Sequence, residues 1–408
     1  MGYITRDLER VVLEVTGQYP VLFVEGPRQV GKTTMLQTLA EQSDRTYVTL
    51  DDLTVRGLAR TDPATFFQIY RPPVLVDEVQ YAPELFPRIK LLADQRRRPG
   101  DFWLTGSQVF SSMEGIRESL AGRVAILTLS PLSQSEIYSP GAGRPFVPEM
   151  DALLARQEVT QPADTPEMYR RIFRGSMPAV ASGKYKDPAV FYSSYVSTYV
   201  ERDVRSMSPS IDALKFADFM ASVAARCGQI VNVADIARDA DVTQPTAKHW
   251  LRILEACGIV FFLHPYSNNQ LKRTISAPKL YFNDTGLVCY LGKWSSAETA
   301  ERGAMSGALL ENYVVSEIVK SYRNAARVPF VYYYRDRDAK EIDLILEADG
   351  VLMPIEVKKT ASPDARLVKV FSVLSRSAVP RGKGAVICMT QHLSAIDKDN
   401  LVVPVSLV

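Results

Sequence analysis

The chain has 408 residues, of which 46% are hydrophobic and 23% are charged, and this is enough to bury two or three separate cores. Lysine and arginine number 48 against 46 acidic residues, so the net charge of +2 gives no global basic field and neither supports nor excludes a nucleic-acid partner. The four cysteines are scattered and the three histidines do not lie beside them at zinc-ligand spacing, which argues against disulfide-rich and zinc-binding classes.

The N-terminus and the apolar runs of the chain bear on its location. Residues 1–10 carry charges where a signal peptide needs an apolar run, and no later stretch approaches about 20 uninterrupted apolar residues. We therefore expect a cytoplasmic protein with no segment directed to a membrane.

Residues 1–139 are predicted to form an α/β core. Short apolar segments alternate there with segments of helical length, which is typical of a parallel sheet. The predicted strands are residues 21–24, 47–50, 74–76, 102–104 and 124–129.

The segment after the first predicted strand has the pattern of a phosphate-binding loop. It contains Gly26, Pro27, Arg28, Gln29, Val30, Gly31, Lys32, Thr33 and Thr34. Glycine frees backbone N–H groups to point at phosphate oxygens, Lys32 adds positive charge, and the Thr33 hydroxyl can hold Mg²⁺. The sequence therefore predicts a site for ATP and Mg²⁺.

Two adjacent acids end the third predicted strand. We expect Asp77 to bind the magnesium through water or the Thr33 hydroxyl, and Glu78 to polarise the attacking water as a general base. The alternative is that the two acids only cap the following helix. With a phosphate-binding loop upstream, the pattern favours ATP hydrolysis.

Two further residues are candidates for contacting the nucleotide. Ser107, with Thr105 second, follows the next strand and is predicted to be a polar sensor of the γ-phosphate or the water. Arg123 is the candidate for an arginine finger, which would act on a neighbour's nucleotide and so implies a homo-oligomer. The alternative for Arg123 is a packing or ion-pairing role.

The middle of the chain is predicted to contain a linker and two helical units. Residues 140–166 are rich in proline and glycine and indicate a loop-rich connection, whereas 167–208 have the pattern of a helical subdomain. Residues 209–300 contain helical segments at 211–227, 232–239 and 243–257, then apolar 259–263 and basic 270–275. This order predicts a winged helix-turn-helix.

The second and third of those helical segments, with the turn between them, have the pattern of a DNA-reading unit. Thr243 is the expected N-cap, and Gln244, Lys248 and Arg252 are expected to be exposed where they could meet phosphates. The charge of the segment is only slightly positive, so docking of a protein partner stays open beside DNA contact.

Residues 301–408 are predicted to form a third domain with a carboxylate cluster. The pattern indicates a helix at 309–322, strands at 330–334, 342–346 and 352–357, a helix at 365–374 and a final strand at 384–388. Strand alternation places Asp343 on one face, and Glu356 and Lys358 share a face of the next strand. Glu311 lies on the apolar stripe of the helix, so its carboxylate is expected to point inward.

These motifs resemble a bacterial and archaeal AAA+ P-loop ATPase family across nearly the whole chain. Its members carry GPRQVGKTT, a DEVQ-type strand, LTGS and SLAGR, which stand here at 26–34, 77–80, 104–107 and 119–123. The resemblance implies an α/β fold: an AAA+ parallel sheet with a helical subdomain, a winged helix-turn-helix and a restriction-endonuclease-like domain. Serine replaces the commoner asparagine at the sensor.

The C-terminal pattern also resembles the PD-(D/E)xK nuclease superfamily. The resemblance implies a phosphodiesterase site in which Asp343 and Glu356 bind the metal while Lys358 positions water and Glu311 assists. The first functional hypothesis is therefore an ATPase that processes linear or branched DNA and carries a nuclease domain. The alternative is a nucleotide-gated regulatory or assembly ATPase whose C-terminal domains hold a protein partner and cut nothing.

Overall fold

The computed structural model describes residues 2–41, 43–107, 120–140, 143–199, 211–267, 277–336, 338 and 340–408. Parts of three predicted motifs lie outside the described residues. These are Gln108 of the sensor motif, Ser119 of the finger motif and the basic segment 270–275 of the predicted wing.

The first part of the chain alternates strands with helices, as predicted. The strands are β1 (Val21–Glu25), β2 (Thr46–Thr49), β3 (Val74–Asp77), β4 (Phe102–Gly106) and β5 (Val124–Thr128). The helices are α1 (Leu8–Thr16), α2 (Lys32–Ala40), α3 (Leu53–Thr61), α4 (Pro63–Ile69) and α5 (Leu85–Arg96). All pairings between these strands are parallel, and the order is β2-β3-β4-β1-β5.

The first sheet is covered on both faces. Alternate residues of β1 belong to different cores, with Leu22 and Val24 in one and Val21 and Phe23 in the other. This explains why the strands read as continuous apolar runs. Because all five strands are parallel, the phosphate-binding loop after β1, Asp77 at the end of β3 and Ser107 after β4 meet at one edge.

A helical segment follows the first sheet. Its helices are α6 (Gln134–Tyr138), α7 (Met150–Val159), α8 (Thr165–Arg174), α9 (Pro178–Ala181) and α10 (Pro188–Tyr199). The loop-rich linker predicted at 140–166 is wrong in its centre, where α7 forms. Its prolines all flank α7 at residues 140–148 and 162–166, so a ten-residue helix fits between them.

A three-helix unit and a strand pair come next. The helices are α11 (Ala213–Ala225), α12 (Val233–Asp239) and α13 (Gln244–Ala256), at the positions expected from the sequence. Thr243 caps α13 as predicted, accepting a hydrogen bond from the Thr246 N–H at 3.3 Å. The antiparallel strands β6 (Val260–Pro265) and β7 (Lys279–Phe282) follow.

The C-terminal part forms a second sheet. Its helices are α14 (Thr285–Leu291), α15 (Ala297–Arg302) and α16 (Ser306–Asn324). Its further strands are β8 (Val331–Arg335), β9 (Glu341–Ala348), β10 (Val351–Lys358), β11 (Gly384–Cys388), β12 (Ser394–Asp397) and β13 (Asn400–Pro404). The order is β12-β13-β11-β10-β9-β8-β6-β7.

Three details of the C-terminal part differ from the prediction. The helix expected at 365–374 is a 3-10 helix at Lys369–Arg376, and the strand at 384–388 is followed by two more strands rather than being the last. The boundary expected at 300/301 does not separate two sheets, because His264 and Pro265 of β6 pair with β8. The hairpin therefore extends the C-terminal sheet.

One large apolar core joins these parts. It includes Leu22 of the first sheet, Tyr169 of α8, Trp250 of α13 and Ile355 of β10. In the described ranges, no helix is long and apolar enough to cross a membrane.

Candidate functional site

The phosphate-binding loop has the backbone that its sequence predicts. Gly31 caps α2 with φ +92°, and Gly26 has φ +147°, both favourable for glycine. The Lys32 Nζ lies inside the loop and donates to the carbonyls of Gly26 and Pro27, each at 2.8 Å. The lysine charge therefore sits where the loop would surround phosphate oxygens.

Asp77 lies beside Thr33 as predicted for a magnesium site. The Thr33 hydroxyl donates to Asp77 Oδ1 at 2.6 Å, and the Thr105 hydroxyl donates to the same oxygen at 2.6 Å. Tyr47 and Thr49 donate to Oδ2 at 3.3 and 3.4 Å. The carboxylate is 5% exposed and held in a fixed orientation by these hydroxyls. Thr105, the second candidate for the sensor, thus contacts Asp77, and Tyr47 and Thr49 of β2 join it although no local motif marks them.

Glu78 and Ser107 are joined through one amide side chain. Gln80 donates from Nε2 to Glu78 Oε2 and to Ser107 Oγ, the latter at 3.1 Å. Glu78 has φ +57°, a left-handed conformation that is uncommon for a residue other than glycine. Its N–H donates to the Thr105 hydroxyl at 3.0 Å, which fixes the acid beside Asp77. The candidate base and the candidate sensor are therefore neighbours.

The phosphate-binding loop lines a cavity of about 430 Å³, and other residues of that lining were not predicted from the sequence. Besides the loop and Glu78, it is lined by Tyr3, Ile4, Arg6, Leu132, Pro178, Ala179, Ser182 and Lys184. Arg6 is 3% exposed and donates to the carbonyls of Val30 and Ser130, each at 2.8 Å. None of these residues lies in a local motif, so no sequence signal identifies them.

Arg123 lies at the end of the first sheet that is opposite to the phosphate-binding loop. It precedes β5, whose first residue aligns with Val21 at the start of β1, whereas the phosphate-binding loop follows the end of β1. Its Nε pairs with Asp94 Oδ1 at 2.5 Å on the surface. In this arrangement Arg123 is far from its own chain's loop, and the finger stays a prediction about a neighbouring subunit.

The second sheet brings together three of the predicted C-terminal residues. Lys358 Nζ lies 2.6 Å from Glu356 Oε1 and 3.3 Å from Asp343 Oδ2, and the Val357 N–H donates to Asp343 Oδ2 at 2.9 Å. Glu356 is 7% exposed, and its Oε2 is buried without a hydrogen-bond partner. Burial and the nearby Asp343 carboxylate raise the pKa of Glu356 to about 7.

Glu311 reaches the edge of the same cluster and is already paired. It accepts hydrogen bonds from the Tyr281 hydroxyl at 2.6 Å and from Lys279 Nζ at 3.2 Å. Lys279 also pairs with Glu341 at 2.5 Å. Burial, followed by the Asp343 charge, raises the pKa of Glu311. Lys279 and Tyr281 come from β7, whose pairing with this sheet the sequence did not indicate.

Asp343 and Glu356, the residues predicted to bind a metal, form a pair of carboxylates beside Lys358. Among the described residues, no three histidine, cysteine or acidic side chains form a group that could hold a metal ion. The carboxylates of Asp343 and Glu356 still fit a hard cation such as Mg²⁺, because Glu356 Oε2 has no hydrogen-bond partner. Mg²⁺ is commonly bound by one or two protein carboxylates and keeps several waters.

The candidate DNA-reading helix α13 partly faces the nucleotide core. Gln244, Lys248 and Arg252 are exposed, as predicted. Arg252 also lines a cavity of about 490 Å³, together with Glu25, Pro27 and Ser107. The end of α13 therefore lies next to the phosphate-binding loop.

Comparisons with family models divide the chain into three matched regions. Residues 18–138 match an AAA domain, residues 165–298 match a domain of unknown function (DUF8612), and residues 306–408 match a domain of unknown function (DUF4143). Two relatives, the uncharacterized protein Rv2008c of Mycobacterium tuberculosis and the uncharacterized protein Mb2031c of Mycobacterium bovis, are 29% identical over 361 residues. The alignments cover 88% of this chain and 74% of each relative.

Solved structures with partial similarity include a Walker-type ATPase and a branch migration motor. The Walker-type ATPase PABY2304 of Pyrococcus abyssi is 13% identical, with 71% of this chain and 96% of that chain covered and a TM-score of 0.45. The RuvB Holliday junction branch migration motor of Thermotoga maritima is 15% identical, with 63% and 89% covered and a TM-score of 0.31.

The AAA-domain match and the geometry of the loop agree on one part of the molecule. Residues 18–138 contain the parallel sheet, the phosphate-binding loop and the acid pair of Asp77 and Glu78. Residues 18–138 are therefore similar to an AAA domain, and the site residues within them support the binding and hydrolysis of ATP.

Proposed function

We propose that the protein is a magnesium-dependent ATP hydrolase. The observation that carries the proposal is the 2.6 Å contact between Thr33 and Asp77, beside a lysine held inside the loop. Bound magnesium supplies positive charge to the phosphates. Lys32 binds phosphate oxygens, Asp77 and Thr33 orient the metal's ligands, and Glu78 accepts the proton of the attacking water.

The experiment that tests this proposal is phosphate release from ATP by the purified full chain. We expect turnover with ATP and Mg²⁺ and its loss when a chelator removes the metal, because the charge of the phosphates is then left unbalanced. Restored turnover on adding excess Mg²⁺ is the control for damage by the chelator. Equal turnover with and without the metal would contradict the proposed role of Asp77.

Arg123 is the proposed arginine finger of a homo-oligomer. The proposal is supported by its place at the sheet edge away from its own loop and by its partly exposed side chain. Arg123→Ala and Glu78→Gln subunits should each be inactive alone, and a mixture should recover part of the turnover because an intact finger then meets an intact base. A chain that stays monomeric in light scattering with a non-hydrolysable ATP analogue would contradict the finger.

A phosphodiesterase site in the second sheet is a second candidate function. It is supported by the convergence of Asp343, Glu356 and Lys358 and by the unpartnered Glu356 Oε2. Asp343 and Glu356 would hold the metal, which lowers the pKa of bound water, and Lys358 would orient that water and stabilise negative charge. The alternative is that Asp343, Glu356 and Lys358 form structural ion pairs, in a sheet that binds a partner but does not cleave DNA.

Cleavage assays on linear, single-stranded and branched DNA with Mg²⁺ or Mn²⁺ separate these alternatives. We expect cutting that Asp343→Asn and Lys358→Met remove while ATP turnover survives, because these side chains lie on β9 and β10, away from the loop. Lys383→Met is the matched control, since Lys383 pairs with Asp399 at an exposed position directly before β11. Absence of metal-dependent cutting on all three substrates would leave the second sheet as a binding module.

The choice between DNA processing and protein regulation concerns the three-helix unit. The exposed Gln244, Lys248 and Arg252 support DNA contact, and the small net charge supports the alternative of a nucleotide-gated switch that holds a protein partner. Adding DNA to the ATP hydrolysis assay distinguishes them. Stimulation that Lys248→Gln weakens favours DNA processing, whereas an unchanged rate with every DNA favours the switch.

A further inference from the structure

Helix α16 carries a buried ion pair at the junction between the second sheet and the nucleotide core. Glu317 and Lys320 are 4% and 2% exposed, and Lys320 Nζ lies 2.7 Å from Glu317 Oε1. A buried ion pair is weak support for stability by itself, because apolar side chains of similar volume often serve as well. Stability alone therefore does not explain why two charged side chains are buried at this junction.

The Lys320 ammonium uses all three of its donors. Besides Glu317, it donates to the Leu132 carbonyl at 3.1 Å and to the Ser176 hydroxyl at 3.2 Å. Leu132 and Ser176 are themselves joined, since the Leu132 N–H donates to the Ser176 carbonyl at 2.9 Å. One ammonium thus fastens the loop after β5 to the turn before α9.

Those two segments both contribute to the lining of the cavity at the phosphate-binding loop. Leu132 lines the cavity directly, and Ser176 stands two residues before Pro178, which is also a lining residue. Asp284 fixes the same turn by accepting hydrogen bonds from the Ser176 N–H at 2.7 Å and from its hydroxyl at 3.1 Å. A shift of Ser176 would therefore move Pro178 relative to the phosphate-binding loop.

The second oxygen of Glu317 reaches the nucleotide core as well. Glu317 Oε2 accepts a hydrogen bond from the Gln134 N–H at 2.7 Å, at the start of α6. Glu136, in the same short helix, pairs with Arg6 at 3.0 Å, and Arg6 binds the Val30 carbonyl of the phosphate-binding loop. The pair on α16 is therefore connected to the loop through three successive polar contacts.

We infer that Glu317 and Lys320 are positioning residues for nucleotide binding, through which the C-terminal part of the chain sets the positions of Leu132 and Pro178 in the cavity lining. The inference rests on the proposed ATP hydrolysis. It makes α16 part of the ATPase, although this helix lies outside the region that matches an AAA domain. Glu311 of the carboxylate cluster lies on the same helix, so the two candidate sites share one rigid element.

Lys320→Met keeps an unbranched apolar stem of nearly the same length and removes the three hydrogen bonds of the ammonium. We expect this variant to bind ADP with Mg²⁺ about tenfold more weakly in titration calorimetry, because the two lining segments then lose the ammonium and keep only their backbone bond and the contacts of Asp284. KM for ATP should rise with it, while the turnover number at saturation changes less, since the phosphate-binding loop and Glu78 are untouched.

The double variant Lys320→Met with Glu317→Gln separates positioning from folding. Lys320→Met alone leaves a buried carboxylate without its cation and lowers the thermal midpoint, whereas the double variant removes both charges and should recover most of that midpoint. If positioning is the role, the affinity for ADP stays low in the double variant. If Lys320→Met does not fold, the double variant alone carries the test.

Arg226→Met is the matched control. Arg226 pairs with Asp239 at 2.6 Å within the three-helix unit, so this change also removes an ion pair but leaves the cavity walls in place. We expect wild-type affinity for ADP. Wild-type affinity in both the Lys320 variant and the double variant would overturn the inference and leave the ATPase proposal standing, whereas a wild-type protein that binds no ADP would overturn both.

Discussion

Glu78→Gln should bind ATP with nearly wild-type affinity and hydrolyse it about 10²–10⁴-fold more slowly, the usual contribution of a general base. The amide keeps the shape of the side chain and its contact region with Gln80, but it cannot accept the proton of the attacking water. Single-turnover hydrolysis measures the loss, and equilibrium titration with ATP and Mg²⁺ measures the binding that remains.

Lys32→Ala should differ from Glu78→Gln by losing binding together with turnover. Lys32 is 5% exposed and its Nζ lies inside the loop, so its removal takes the charge away from the phosphates in the ground state and the transition state alike. Glu84→Gln, a change at an exposed acid nearby, should behave as wild type. Turnover at the wild-type rate in either test variant would show that the role assigned to that residue is wrong.

The parts of the nucleotide site that the sequence predicts are those encoded by neighbouring residues. Glycine spacing, Lys32 and Thr33 define the loop by themselves, and Asp77 follows an apolar run that must be a buried strand. In a parallel sheet the ends of β1 and β3 meet at one edge, so the contact between Thr33 and Asp77 follows from the order of elements. Local pattern and topology suffice for these residues.

The remaining walls could not be predicted because they depend on packing between distant segments. Arg6 reaches the loop across 24 residues, and Pro178 reaches it from the helical segment, with no local pattern that points to phosphate. The same holds for Tyr281 and Lys279, which meet Glu311 only because β7 pairs with β6 and β6 extends the second sheet. Strand alternation did predict the meeting of Asp343 and Lys358, since β9 and β10 are neighbours along the chain.

Among glycine-to-alanine substitutions in the first sheet and its phosphate-binding loop, we expect Gly26→Ala to lower the free energy of unfolding most. A Cβ at this position would lie 2.1 Å from the Leu129 carbonyl oxygen and 3.1 Å from its carbon, and φ is +147°, which side chains rarely adopt. The obstacle is backbone: the Leu129 N–H donates to the Glu25 carbonyl at 2.8 Å, directly after β5, so Leu129 can move only if the sheet edge opens. Overpacking of this kind costs about 3 kcal/mol or more.

The matched control for that change is Gly57→Ala within α3, where an added Cβ meets no atom within 4 Å. There the methyl group should stabilise the chain by about 0.5–1 kcal/mol, because alanine lowers the conformational entropy of the unfolded state and favours the helix. Urea unfolding followed by circular dichroism compares the two midpoints, and ADP titration reports whether the loop still binds nucleotide.

Since the clash and the nucleotide site share Gly26, we expect the Gly26→Ala midpoint to fall and ADP binding to be lost together. A Gly26→Ala protein with the wild-type midpoint would mean that the loop and the end of β5 are not packed as closely as the structure has them.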